Sequence, residues 1–386
     1  MEEILYRFNP WWEESYKTDF IDRPRYTNKL LGNIDSKNIE IITGLRRVGK
    51  TTILKILIEK LIYQKRISPK NIFFISLDFY GLEEKSILEI VEEYLKVQKI
   101  SFREKVYIFF DEVTYKKDFS QQLKNLYDLY NAKIFATSSS SSILKDKKAF
   151  LTGRERLTEI LPLNFEEFLK FKKVEIKKSD KHLIESYFEK YMEIGGIPEY
   201  VLTEDIDYIK QLVDDIIYKD IVSVHNIKNP LLVREFFLLL MERVGKQISF
   251  NKIAKILDIS VDTVRRYFDY FLQTYLIYTV EKCGKLNEKL KSPKKIYIGD
   301  VGIKNAITGF RDKGAIFENL VYLKIKDKKP CYIYENGIEL DFMTDDKTLI
   351  EVKYNSQLNE KQKKLLENIP AKRKIIVDNI DKFFAL

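Results

Sequence analysis

The spacing of apolar and polar positions divides the chain into strands and helices in a regular order. Ile39 to Thr43 is a short, mostly apolar run that ends abruptly at Gly44, as a buried strand would. Asn71 to Asp78 (N-I-F-F-I-S-L-D), Val106 to Phe110, Ala132 to Ala136 and Leu157 to Leu161 read as further strands. Between them the spacing turns helical, in Thr52 to Ile62 and in Ser86 to Val97 with Ile87, Ile90, Val91 and Leu95 on one face. Strands alternating with helices predict an α/β fold, a three-layer parallel sheet. Phe165 to Asn229 then reads as all-helical, and Leu231 to Val244 as a helix with a wide apolar face. Ser249 to Leu257, a tight turn at Asp258-Ile259-Ser260, and Val261 to Thr274 have helix-turn-helix spacing, with Ser249 and Ser260 as caps. Ile277 to Lys282 and Lys294 to Ile298 would be strands of a wing around the Lys-rich loop Lys285 to Lys295. Finally, Cys331 to Glu335, Ile338 to Thr344 and Thr348 to Tyr354 form two successive hairpins, turning at Asn336-Gly337 and at Asp345-Asp346-Lys347.

The chemistry collects at the strand ends. Gly44-Leu45-Arg46-Arg47-Val48-Gly49-Lys50-Thr51 matches G-x-x-x-x-G-K-[ST], between a strand and a helix. Gly44 and Gly49 let the backbone turn, so that N–H groups of the loop, from Arg47 through Thr52, point at a polyphosphate. Lys50 places a charge on the β/γ-phosphates of ATP, Thr51 offers a hydroxyl to Mg²⁺, and the helix N-terminus adds its partial charge. In open α/β sheets the ligand sits at the carboxyl ends of the strands. There Asp111 can hold Mg²⁺ through water, Glu112 can deprotonate the attacking water, and Ser138 or Ser139 can bond that water or the γ-phosphate. The lead-in to Asn38, with Trp11-Trp12 and Arg23-Pro24-Arg25, either covers the adenine or fills a domain edge.

Composition narrows the class. At 386 residues the chain exceeds one core and should divide into roughly two to four domains. Its 67 Lys and Arg against 58 Asp and Glu leave a net charge of +9, which favours an anionic partner without proving nucleic-acid binding. Two cysteines argue against a disulfide framework and, with two histidines, against a zinc site. An acidic start without a signal peptide, and no apolar run long enough to span a membrane, predict a soluble, cytoplasmic protein.

Strand periodicity makes one geometric prediction near the C-terminus. Glu339 and Asp341 share one face of their strand, Glu351 and Lys353 one face of theirs. A turn centred on Asp346 sets Asp341 directly across from Glu351, with Cβ atoms about 5 Å apart. Two carboxylates so placed repel unless a cation lies between them.

The phosphate loop, the strand ending in Asp-Glu and the polar strand end together resemble the AAA+ ATPases. More closely, the chain resembles archaeal and bacterial AAA+ ATPases carrying a restriction-endonuclease-like C-terminal domain. The marks are G-L-R-R-V-G-K-T-T, Gly153-Arg154, Pro162 to Phe168, Gly195-Gly196-Ile197-Pro198-Glu199-Tyr200, Phe317-Glu318-Asn319, Glu339-Leu340-Asp341-Phe342 and Glu351-Val352-Lys353. The resemblance implies an ATPase core over 1–164, a helical lid over 165–229, a winged helix over 230–298 and a PD-(D/E)XK nuclease-like domain over 299–386. It implies that Arg154, with Arg156 as alternative, is an arginine finger reaching a neighbouring copy's γ-phosphate in a homo-oligomer. No second sensing arginine stands beside Gly195-Gly196-Ile197-Pro198, which would instead offer backbone contacts near the adenine. In the last domain Asp341 and Glu351 would bind Mg²⁺, Glu318 would add a carboxylate, and Lys353 would activate water. Arg265 and Arg266, on the outer face of the second helix, would meet DNA; the alternatives are a winged helix that only packs, and a nucleotide switch for a protein partner.

Overall fold

The computed structural model describes residues 1–141, 151–177, 180 and 182–386; Ser142, last of the serines after Thr137, lies outside them. The chain divides into two units, Met1–Leu161 and Pro162–Leu386.

In the first unit β1 (Ile39–Thr43), β2 (Ile72–Ser76), β3 (Val106–Asp111), β4 (Ala132–Ser138) and β5 (Glu155–Glu159) form one parallel sheet in the order β2-β3-β4-β1-β5. Every residue of β1, β3 and β4 is buried, as in a parallel sheet covered on both faces. The helices Lys50–Tyr63, Ile87–Val97 and Phe119–Leu129 connect it, the second opened by a Ser86/Glu89 capping box. The strand expected over Leu157 to Leu161 begins two residues earlier. As an edge strand it leaves Leu157 exposed, so its apolar residues did not mark its limits.

The lead-in closes the other edge. The Asn9 side chain accepts from the Phe74 N–H at 2.6 Å and donates to the Phe74 carbonyl at 2.9 Å, taking the place of a neighbouring strand on β2. Trp11 and Trp12 both donate their indole N–H to the Ile72 carbonyl at 3.0 Å. Of the two roles open for the tryptophans, the structure supports the domain edge.

The second unit begins with the helices Phe165–Phe171, Leu183–Ile194, Pro198–Thr203 and Ile206–Asp215, a π-helical turn Ile216–Ser223, and the helix Pro230–Met241. Here the backbone of Gly195-Gly196 is used internally. The Gly196 N–H donates to Asp300 at 2.6 Å, its carbonyl accepts from the Leu163 N–H at 2.7 Å, and a Cβ on Gly196 would lie 2.3 Å from the Leu163 carbonyl oxygen. These contacts all lie within the second unit.

The helices Phe250–Leu257 and Val261–Gln273 follow, their first turns capped by Ser249 and Ser260. β6 (Ile277–Val280) and β7 (Lys295–Ile298) pair antiparallel. The expected lysine-rich loop between them contains a helix, Leu286–Lys291, and its last residue, Lys295, is buried in β7. The remaining sheet runs β11-β10-β9-β8, from β8 (Cys331–Glu335), β9 (Ile338–Met343), β10 (Thr348–Val352) and β11 (Arg373–Val377). Both expected hairpins form; β10 and β11 are parallel, and the helix Glu360–Asn368 makes the crossover such a pair needs. Where two cysteines in the chain argued against a disulfide framework, Cys283 and Cys331 form one disulfide, with Cα atoms 5.0 Å apart. It fastens the segment after β6 to the start of β8. Among the described residues no helix is long and apolar enough to cross a membrane.

Candidate functional site

The turn from β1 into the helix Lys50–Tyr63 forms because two glycines adopt backbone angles that other residues rarely take. Gly44 has φ +143° and lies so close to the next segment that a Cβ would sit 2.3 Å from the Ile160 carbonyl oxygen. Gly49 has φ +94°, in the left-handed region. Arg47 also has a positive φ, 65°, which fits a loop whose N–H groups turn inward. Behind the loop, the buried guanidinium of Arg23 donates to the carbonyls of Val48 at 3.0 Å and Leu161 at 2.9 Å. Arg23 thus braces the loop against the strand exit, a role that the sequence reading did not assign.

Thr51, Asp111, Glu112, Thr137 and Ser139 meet at the carboxyl ends of β1, β3 and β4. Thr51 Oγ1 donates to Asp111 Oδ2 at 2.7 Å, and Thr137 Oγ1 donates to Asp111 Oδ1. Burial pushes the Asp111 carboxyl up in pKa, and the two hydroxyl bonds offset part of that rise. Glu112 sits at φ 50°, a conformation uncommon outside glycine and asparagine, with its N–H on Thr137 Oγ1 at 2.9 Å. Its carboxylate accepts from the Ser139 hydroxyl at 2.5 Å and the Ser139 N–H at 3.1 Å. Ser138 instead contacts Thr114 and Ser140. Lys50 is buried, and its ammonium donates to the carbonyls of Gly44 at 3.0 Å and Leu45 at 3.2 Å, partners that a phosphate can replace.

Arg154 lies outside this constellation. It precedes β5, and its carbonyl accepts from the Ile39 N–H at the start of β1. The five residues of β1 separate that end from the phosphate loop, about 16 Å at ~3.3 Å per residue. Its guanidinium contacts Asp128 at 3.4 Å and lies over the Tyr127 ring. Arg156, the alternative, donates to Asn33 at 2.8 Å. On the helix Val261–Gln273 the residues Val264, Tyr267, Phe268 and Phe271 are buried, while Arg265 and Arg266 are exposed, each touching its own helix's first turn at Asp262 and Thr263.

The C-terminal carboxylates form a second cluster. β9 and β10 pair Met343 with Leu349 and Phe342 with Ile350, the register of a turn centred on Asp346. One step further the ladder gives way to side chains: the Asp341 N–H donates to Glu351 Oε2 at 3.0 Å, and the Val352 N–H to Asp341 Oδ2 at 2.9 Å. Lys353 reaches Glu351 Oε1 at 2.9 Å, and Gln362 reaches the same oxygen at 3.2 Å. The cation beside Asp341 is Lys295. Its ammonium lies 2.7 Å from Glu318, 2.7 Å from Glu339 and 3.0 Å from Asp341. Burial alone would depress the Lys295 pKa, but the carboxylates of Glu318, Asp341 and Glu339 beside it drive it well above the usual value. Burial, reinforced by Asp341, raises both Glu318 and Glu351.

A Mg²⁺ on Glu318, Asp341 and Glu351, as expected, would have to displace partners already present: Lys295 on Glu318 Oε1 and Asp341 Oδ1, the Val352 N–H on Asp341 Oδ2, and the Asp341 N–H, Lys353 and Gln362 on Glu351. Among the described residues no group of three or more His, Cys, Asp or Glu side chains is arranged to hold a metal ion. Lys295 escaped the sequence reading; the signal was the alternation K-I-Y-I, which sets Lys295 and Tyr297 on one face. Asn319 escaped it too. Fully buried, it exchanges two hydrogen bonds with the Ile298 backbone and so closes the edge of β7.

Comparison with known proteins places the chain. The family described as "AAA domain" matches residues 36–169, and a "Domain of unknown function" matches residues 185–314. The uncharacterized protein MJ1544 of Methanocaldococcus jannaschii is 31% identical over 370 residues, covering 89% of this chain and 80% of its own. The uncharacterized protein MJ1637 of the same organism is 25% identical over 421 residues, covering 97% and 87%. AMPPCP-bound DnaA from Aquifex aeolicus is similar over 65% of this chain and 89% of its own, at 16% identity and a TM-score of 0.29, a likeness too weak to carry an argument. The chain belongs to the family of MJ1544, and it is an AAA+ ATPase.

Proposed function

We propose that the chain is an ATP-hydrolysing protein that acts on DNA, with Mg²⁺ accompanying the nucleotide and a nuclease-like C-terminal sheet that does not cut. The observation that carries this reading is the meeting of Thr51, Asp111, Glu112 and Ser139 beside the loop Gly44 to Thr52. In it, Lys50 leaves the Gly44 and Leu45 carbonyls for the β/γ-phosphates of ATP. The hydroxyl and carboxylate oxygens of Thr51 and Asp111, 2.7 Å apart, suit Mg²⁺, which when bound supplies positive charge against the phosphates. Glu112, oriented by Ser139, takes the proton of a water whose oxygen bonds to the γ-phosphorus while the bond to the ADP oxygen breaks. Arg154, at the far end of β1 from its own loop, serves a neighbouring copy's γ-phosphate, so the working form is a homo-oligomer. Mixing Arg154→Ala with Lys50→Ala protein then restores part of the turnover that each lacks alone; no recovery removes the trans role.

The helix pair Phe250–Leu257 and Val261–Gln273, with the β6–β7 hairpin, makes a winged helix that meets duplex phosphates through Arg265 and Arg266. The ATPase core, lid, winged helix and nuclease-like domain occupy 1–164, 165–229, 230–298 and 299–386. No step of phosphodiester cleavage is assigned to Lys353, whose ammonium is engaged with Glu351. Turnover of ATP by the purified chain, with and without duplex DNA, tests the reading, and stimulation by DNA is the expected result. ATP held without turnover, and no salt-dependent DNA binding, would replace it with a nucleotide switch for a protein partner.

A further inference from the structure

We propose that Lys295 is the resident cation of the C-terminal carboxylate cluster: its ammonium fills the place that a divalent ion would take, and the cluster is a metal-independent clamp between β7, β9 and the helix Lys313–Ile325. This deepens the reading of a C-terminal sheet that does not cut.

The stoichiometry of hydrogen bonds supports it. An ammonium has three N–H donors, and Lys295 meets three carboxylates, one each from Glu318, Glu339 and Asp341, at 2.7 to 3.0 Å. These are N–H···O distances, whereas Mg²⁺ needs oxygens at about 2.0–2.1 Å in octahedral array. Most of the other acceptors are taken as well. Asp341 Oδ2 accepts from the Val352 N–H, Glu351 Oε2 from the Asp341 N–H, and Glu351 Oε1 from Lys353 and Gln362. Glu339 Oε2 accepts from Gln247, and Glu318 Oε1 also accepts from the Tyr297 hydroxyl. Lys295 is 1% exposed and is held by its strand, paired with Val280 in β6 and bridged to Gln247. A flexible lysine could withdraw for a metal; one fixed at its backbone and surrounded by its counter-charges has nowhere equivalent to go. The Asn319 bonds to Ile298 and the Cys283–Cys331 disulfide join the same elements, as a clamp would require.

Mn²⁺ titration followed by electron paramagnetic resonance, on the full chain without nucleotide, tests this. The wild type should show no stoichiometric Mn²⁺ site that depends on Asp341. Lys295→Ala should gain one site, binding Mn²⁺ at least about tenfold more tightly than wild type, and Lys295→Ala combined with Asp341→Asn should lose it again. A wild-type site that disappears in Asp341→Asn overturns the proposal, as does a folded Lys295→Ala that gains nothing. Should Lys295→Ala not fold, the wild-type titration alone decides. ATP turnover on the same samples keeps the outcome separate from the ATPase assignment, which fails only if an intact Lys50 and Glu112 give no hydrolysis.

Discussion

The phosphate-loop end of the first sheet and the carboxylate cluster of the last are built from similar parts. Each gathers acidic side chains where a strand ladder ends, and in each burial raises a carboxylate pKa. They differ in what satisfies the acids. Asp111 is met by two hydroxyls, and Lys50 by two loop carbonyls, all groups that can exchange these bonds for a ligand at little cost. Asp341 and Glu351 are met by two ammonium groups and two backbone N–H groups, which cannot be exchanged without leaving buried charge unpaired. One arrangement is poised to bind; the other is complete.

The comparison breaks most readily at Glu112. If the first site is a working one, Glu112→Gln keeps the bond to Ser139, retains ATP and loses turnover by about 10²–10⁴-fold, as removal of a general base does. Lys50→Ala should lose affinity for ATP itself. A Glu112→Gln protein that hydrolyses at the wild-type rate would make this site as inert as the second.

The complementary change is Lys295→Met. In a completed cluster it leaves Glu318, Glu339 and Asp341 buried without their cation, and should cost about 3–5 kcal/mol in denaturant unfolding of the second unit. Lys50→Met, by contrast, should leave unfolding within about 1 kcal/mol of wild type, because an emptied ligand site is not a stability element. Equal losses in the two variants would erase the distinction.

These two lysines also show what could be read from the sequence. Lys50 was legible because its role is fixed by neighbours in the chain: two glycines, a strand before and a helix after. The register of Asp341 against Glu351 was legible for the same reason, since one short turn sets it. Lys295 is 46 residues from Asp341, and alone it looks like the end of a basic loop. Arg23 and Asn9 were hidden likewise, for their partners Leu161 and Phe74 lie 138 and 65 residues away. Cys283 and Cys331, 48 apart, needed the fold to bring them together. Local periodicity reports which face a residue takes, not what it will meet there.

Asp300 sharpens the comparison, as a buried carboxylate with neither displaceable hydroxyls nor a lysine. It accepts backbone N–H groups from Gly196, Gly302 and Ile303, yet burial outweighs them and raises its pKa from the ordinary 3.8 to about 6. A carboxyl raised in the folded state binds its proton more tightly there than in the unfolded chain. Its contribution is therefore full below pH ~4 and falls as pH rises through the folded value, by up to about 3 kcal/mol at ~1.4 kcal/mol per unit. Asp300→Asn should remove that slope, so the variant gains on the wild type between acidic and neutral pH in urea unfolding. Parallel pH profiles would mean that the three N–H groups suffice for a charged Asp300.

The smallest effect concerns cations that are neither buried nor saturated. Arg265 is 62% exposed and its ion pair with Asp262 is long, at 3.6 Å; Arg266, also exposed, makes a 3.3 Å bond to Thr263. Such contacts cost little to give up, which is what separates these arginines from Lys295 and Lys353. On duplex DNA each could neutralise a phosphate and release a counterion, so reversing both charges should weaken binding about tenfold at moderate salt and flatten the log–log salt slope by about 2. Stability should not change, because neither side chain supports the helix core of Val264, Tyr267, Phe268 and Phe271. Lys295→Met provides the opposite pattern, a large loss of stability with no direct change in the salt slope. If instead the arginine reversals leave binding unchanged, exposure is not what distinguishes the DNA-contacting cations, and the lysines of the helix Leu286–Lys291 between β6 and β7 become the next set to reverse.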